Sequence, residues 1–119
     1  MNHESLLHLI YPEFVDNRAK KLGSKAEDIL HGAVGVAGEG GELLDAIKKC
    51  WIYNKPLTKE VEKNLREECG DALFYIQHIC NILECTIDEL IDENMQKLTK
   101  RYPQGYTDKA ALDRADKAE

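Results

Sequence analysis

Residues 24–49, SKAEDILHGAVGVAGEGGELLDAIKK, decide how this chain folds. Ser24 followed three residues later by Glu27 is a capping-box signature, so a helix starts near Lys25. Ile29, Leu30, Val34, Val36, Leu43, Leu44 and Ile47 recur from there to about Lys49 and cover much of the helix circumference. That coverage predicts a helix largely surrounded by protein. Gly32, Gly35, Gly38, Gly40 and Gly41 stand inside the same run, each costing about 1 kcal/mol relative to alanine in a helix interior. Close approach by a neighbouring helix or by a ligand accounts for such a cluster. A phosphate-cradling loop does not, because the sequence has no GxxxxGK[ST], no GxGxxG register and no preceding strand.

Working outward, residues 4–20 carry Leu6, Leu7, Leu9, Ile10, Phe14 and Val15 in a loosely helical pattern, which predicts a first helix bent or interrupted at Pro12. Residues 51–57, with Asn54 and Pro56, read as a connection, and Thr58 is a natural N-cap for a third helix. Val61, Leu65, Ala72, Ile76, Ile79 and Leu83 keep that helix on one apolar stripe to about Glu84. Thr86 and Glu89 form a second capping box, opening a fourth helix with Ile87, Leu90, Ile91, Met95 and Leu98 facing inward. Lys97, Lys100 and Arg101 complement its C-terminal dipole, and Pro103 ends it. Beyond Tyr106 the chain is polar, reading as a short helix or a mobile tail. With no strand pattern anywhere, the prediction is an all-α fold of four-helix-bundle type, one domain over 1–103 with a polar tail over 104–119.

At 119 residues, 43% hydrophobic and 32% charged, the composition is that of one globular helical domain. No apolar run approaches a membrane span and no secretory signal opens the chain, so the cytoplasm is the expected location. A net charge of −6 argues against a nucleic-acid backbone as partner, and an acidic site receives a triphosphate only together with divalent cations. Cys50, Cys69, Cys80 and Cys85 form no CxxC pair and read as reduced thiols. His78 with Cys80 and Cys85 matches no standard zinc spacing.

The residues that carry chemistry are two acid pairs at helical spacing, Glu39 with Glu42 and Glu68 with Asp71. Three residues apart on a helix places both acids of a pair on one face. A solvated acidic face is the plain alternative. Apolar flanks on both helices, and the absence of lysine and arginine among Val34–Ile47 and Cys69–Leu83, favour a cation as the partner. All-oxygen ligation selects Mg²⁺, with Mn²⁺ as a substitute, and a carboxylate-held metal site suits hydrolysis at phosphorus.

The stretches HGAVGVAGEGGELLDAIKK, LREECGDALFYI and ENMQKLTKRYPQGY, within residues 30–106, resemble the MazG-like all-α nucleoside triphosphate pyrophosphohydrolases, whose pattern is ExxE followed by ExxD on adjacent helices. Many members have EExxE where this chain has Gly38 before Glu39. The resemblance implies that Glu39, Glu42, Glu68 and Asp71 hold Mg²⁺, that Asn94 and Lys97 lie near the phosphates, and that Tyr75 faces the substrate. It also implies conversion of an NTP or dNTP to the monophosphate and pyrophosphate, in a homodimer or homotetramer. Helix-surface solvation for Asn94 and Lys97 and core-edge packing for Tyr75 are their structural alternatives. Arg101 serves equally as a substrate contact or as a dipole partner. His31 is either a base or sugar contact or a structural histidine, and Glu67 points to solvent. Phe14, Trp51 and Tyr53 are stacking candidates or packing anchors. Hydrolysis of dUTP, dCTP or phosphoribosyl-ATP is the rival within the family, and a noncatalytic metal-binding helical module is the rival outside it.

Overall fold

A computed structural model describes residues 6–117, in which every regular element is helical. The order is α1 (Leu7–Asp16), α2 (Lys25–Ile52), α3 (Lys59–Leu83), α4 (Ile87–Arg101) and α5 (Asp108–Asp113), closed by a 3-10 turn over Ala115–Lys117. Residues 4–5 of the expected first helix and 118–119 of the expected tail lie outside the described residues. The all-α class read from the sequence is the class observed. The chain divides after Glu84 into two compact units.

Side-chain oxygens fix where the helices begin. Ser24 accepts from the Glu27 amide, Thr58 from Val61, Thr86 from Glu89 and Thr107 from Ala110, so four of the five α-helices start on a hydroxyl cap. At Thr86 the Glu89 carboxylate also accepts from the cap's own amide, completing the reciprocal box. Such a cap contributes about 1 kcal/mol. At its far end α3 stops where Glu84 turns left-handed, at φ 56°.

The first unit is built on an antiparallel pair. A Cβ on Gly32 would meet Ile79, one on Gly35 would meet the Tyr75 ring, and Glu39 lies against Glu68 and Asp71. Numbers rise along α2 as they fall along α3, so the two helices run in opposite directions. Gly32 and Gly35 are thus explained by close helix approach, which only a missing side chain allows. Gly38, Gly40 and Gly41 face open space instead.

Helix α1 packs on α3. Val15 is its one buried residue, and a polar relay reinforces the contact: Gln77 Nε2 donates to Asn81 Oδ1 at 2.8 Å, and Asn81 Nδ2 donates to the Pro12 carbonyl at 2.9 Å. The helix runs through Pro12 without interruption. Proline removes one amide donor from the ladder but leaves its own carbonyl, and here that carbonyl is taken by Asn81.

Two expectations about burial need correction. Helix α2 is not largely surrounded: Gly32 is its only buried residue, and Leu30, Val34 and Leu44 are exposed. On α4, Ile87 and Leu90 are half-buried while Ile91, Met95 and Leu98 are exposed. Periodicity identifies which residues share a face, and coverage of that face depends on what packs there. Helix α2 also continues past Lys49 through Trp51 and Ile52, which shortens the connection to α3.

In the second unit the residues after Tyr106 form α5 and the 3-10 turn, the helical one of the two alternatives left open by the sequence. Arg101, in the last turn of α4, holds Asp116 through two hydrogen bonds, Nε to Oδ1 at 2.6 Å and Nη2 to Oδ2 at 3.0 Å.

Candidate functional site

Glu39 comes from α2, and Glu68 and Asp71 from one turn of α3. One oxygen from each lies within 4.8 Å of the others, with Glu39 and Glu68 half-buried and Asp71 exposed. Helical spacing supplies the pair on α3, and the antiparallel packing brings Glu39 across to meet it. Among the described residues none of the three is in an ion pair.

Three converging carboxylates with no basic partner repel one another. The Glu68 carboxyl is pushed above the usual carboxylate range, first by a hydrogen bond to Glu39, then by loss of solvent, and then by the charges of Glu39, Asp71 and Glu67. The donor set is entirely oxygen and it converges, which fits a hard divalent cation. Glu42, one turn beyond Glu39 on α2, is exposed and outside this set, and Glu67 is exposed as the sequence predicts.

Tyr11 is a neighbour that no sequence pattern singles out. Its hydroxyl is pushed above the ordinary tyrosine range, first by burial and second by the charge of Asp71, so α1 reaches the edge of the acid cluster. No spacing rule links residue 11 to residue 71; only the packing of α1 on α3 does.

Along the α2–α3 seam from the acids lies a ladder of rings. Tyr75 is half-buried and meets His31 edge-on at 6.0 Å between centroids, and His31 meets His78 edge-on at 5.8 Å. His31 Nδ1 and His78 Nε2 are buried without a hydrogen-bond partner. The His78 imidazole is only 1% exposed, and burial, then the neighbouring His31, holds it below the ordinary histidine range. His31 therefore sits in the helix interface, packed between two rings.

On α4, Asn94 and Lys97 are exposed, whereas Arg101 is engaged by Asp116. The stacking candidates differ among themselves. Trp51 is 83% exposed and Tyr53 is exposed, while the Phe14 ring carries the Arg18 guanidinium 3.6 Å above its centre. Cys50, Cys69 and Cys85 are free thiols, with Cys69 exposed, and Cys80 is buried. No grouping of His78 with Cys80 and Cys85 capable of holding a metal occurs among the described residues.

An antiparallel helix pair brings Glu and Asp side chains together across its seam, in an all-helical chain, as a set of oxygen donors of the kind a hard divalent cation takes. The chain belongs to the family of the MazG nucleotide pyrophosphohydrolase domain, whose model matches residues 31–106. It is also similar to the Gene 37 protein of Mycobacterium phage L5, at 28% identity over 81 residues covering 66% of this chain and 70% of the relative. No solved structure matches. The matched segment holds all three clustered acids together with Glu42, Asn94, Lys97 and Arg101, while Tyr11 and Asp116 fall outside it. No helix among the described residues is long and apolar enough to cross a membrane.

Proposed function

We propose that this protein is a Mg²⁺-dependent nucleoside triphosphate pyrophosphohydrolase, with Mn²⁺ able to substitute, that converts an NTP or dNTP and water to the monophosphate and pyrophosphate. The observation that carries the reading is the convergence of Glu39, Glu68 and Asp71, within 4.8 Å, inside a segment that matches a nucleotide pyrophosphohydrolase domain. Those three would hold the cation, with Glu42 as a fourth acid from the next turn of α2. A bound divalent ion supplies polarisation of a phosphoryl oxygen and activation of water. By the family resemblance, Lys97 and Asn94 would contribute a cation and an amide for the phosphates, and Tyr75, beside Gly35 on the α2–α3 seam, would face the substrate.

Assembly as a homodimer or homotetramer belongs to the same proposal. Val15 and Cys80 are the only hydrophobic side chains fully buried among the described residues, while Leu9, Ile10 and Phe14 on α1 and Leu30, Val34 and Leu44 on α2 are exposed. A chain this small is stabilised by burying most of its apolar surface, and a second copy is the partner that supplies matching area.

A panel of NTPs, dNTPs, damaged nucleotides and phosphoribosyl-ATP, with Mg²⁺ and scored separately for pyrophosphate and orthophosphate, tests the reading. Pyrophosphate release from several nucleotides supports it, and release from dUTP, dCTP or phosphoribosyl-ATP alone selects the narrower family activity. Absence of turnover with every substrate at high protein concentration leaves the noncatalytic helical module.

A further inference from the structure

We propose that Asp116 is a positioning residue that commits Arg101 to fastening the C-terminal extension onto α4, and thereby removes Arg101 from the groups that contact phosphate. Asn94, Lys97 and Arg101 stand at i, i+3 and i+7 on α4, one helix face, so by spacing alone all three are offered to an anion. The packing separates them. Asn94 and Lys97 are open to solvent, while the Arg101 side chain is 16% exposed and both of its bonded nitrogens donate to the Asp116 carboxylate.

The Asp116 side chain is 2% exposed. A carboxylate presents the guanidinium with the same two-oxygen fork that a phosphate would. A triphosphate competing for Arg101 faces an intramolecular rival at high effective concentration. Winning would also leave Asp116 buried with no partner, an outcome that a desolvated ion pair strongly resists. The pairing therefore stays closed when substrate binds. Its second effect is on the extent of the fold: Asp116 lies ten residues past the end of the family segment at residue 106, and Arg101, inside the segment, ties it down. Tyr106 donates to Asp108 Oδ1 at 2.8 Å at the start of α5.

The test is Asp116→Asn in the full chain, read by thermal unfolding, limited trypsin digestion and the KM for a nucleoside triphosphate. Fastening predicts a Tm lower by roughly 5 °C and cleavage at Lys109 and Arg114 faster by about fivefold or more, with KM unchanged. Asp116→Glu, which keeps the charge, is expected to recover most of the Tm, and it carries the test if the asparagine variant fails to fold. Unchanged Tm and digestion in Asp116→Asn overturn the fastening role. A KM that falls severalfold in Asp116→Asn overturns the other half, because it shows a released Arg101 reaching phosphate. The kinetic measurement rests on the hydrolase reading, whereas the unfolding and digestion measurements do not, so a failure of one is distinguishable from a failure of the other.

Discussion

The Glu68 carboxyl, on α3, lies across the seam from the Glu39 carboxylate, on α2, and hydrogen bonding between the two pushes Glu68 above the usual carboxylate range. Asp71 stands one turn along α3 and adds its charge to the field on Glu68. Without a cation this arrangement opposes the packing of α2 on α3, and with one it becomes a bond between them.

Replacing Glu68 by Gln removes one of the three converging negative charges while keeping the shape. The expected result is a metal-free protein whose Tm at neutral pH is a few degrees higher than wild type, with turnover reduced by at least about a hundredfold, as for loss of a group holding a catalytic metal. Adding Mg²⁺ should raise the wild-type Tm and leave that of Glu68→Gln nearly unmoved. Differential scanning with and without Mg²⁺ reads both, and equal Mg²⁺ responses in the two proteins would count against the cluster as the ion's site.

Glu42 and Asp71 separate the geometric set from the sequence motif. Alanine at Asp71, which lies in the three-acid cluster, should abolish turnover and weaken Mn²⁺ binding about tenfold or more. Alanine at Glu42 should likewise abolish turnover while leaving helix content intact, if it completes the site from the next turn. Titration of Mn²⁺ followed by its effect on water proton relaxation measures the binding; full activity in either variant would defeat the assignment.

The buried His78 makes the first unit sensitive to acid. Folded His78 is held below the ordinary histidine value of about 6.5, whereas in the unfolded chain it titrates near that value. Its contribution is therefore complete above about pH 6.5 and declines as the pH falls through the window beneath, where the unfolded state takes up the proton first. The acid cluster acts with the opposite sign, since the raised Glu68 favours folding at low pH. A His78→Gln variant isolates the histidine term: its urea midpoint between pH 7.5 and 5.5 should vary less than that of wild type, and an unaltered slope would contradict the expectation.

Gly35 and Gly38 predict opposite outcomes for the same substitution. At Gly35 a methyl group would run into the Tyr75 ring, so Gly35→Ala should destabilise by about 1–3 kcal/mol. At Gly38 nothing lies within 4 Å, so Gly38→Ala should stabilise by about 1 kcal/mol through helix propensity. Chemical denaturation of both variants decides between packing and propensity as the reason each glycine is tolerated.

What the sequence disclosed was local. Ser24, Thr58 and Thr86 announced three helix starts to the residue, because a cap is a contact between groups three positions apart. The acid pairs were visible for the same reason. Nothing in the sequence placed Tyr11 near Asp71 or Asp116 on Arg101, since each pairing depends on how one helix or turn lands on another. The exposure of Leu30 and Val34 was misjudged by the same limit: an apolar stripe records a need for cover and does not say who supplies it. Glu42 illustrates the converse, a motif residue whose spacing was right but whose side chain lies outside the converging set.

The hydroxyl caps on α2, α3, α4 and α5 also bear on the order of events in time. Each start signal is complete within four residues, so helical turns at Ser24, Thr58, Thr86 and Thr107 can nucleate before any helix has found its neighbour. The acid seam, with its mutual repulsion, is then the late and reluctant step. Refolding in stopped flow should accordingly show helix signal gained ahead of docking, with divalent cation accelerating only the second phase.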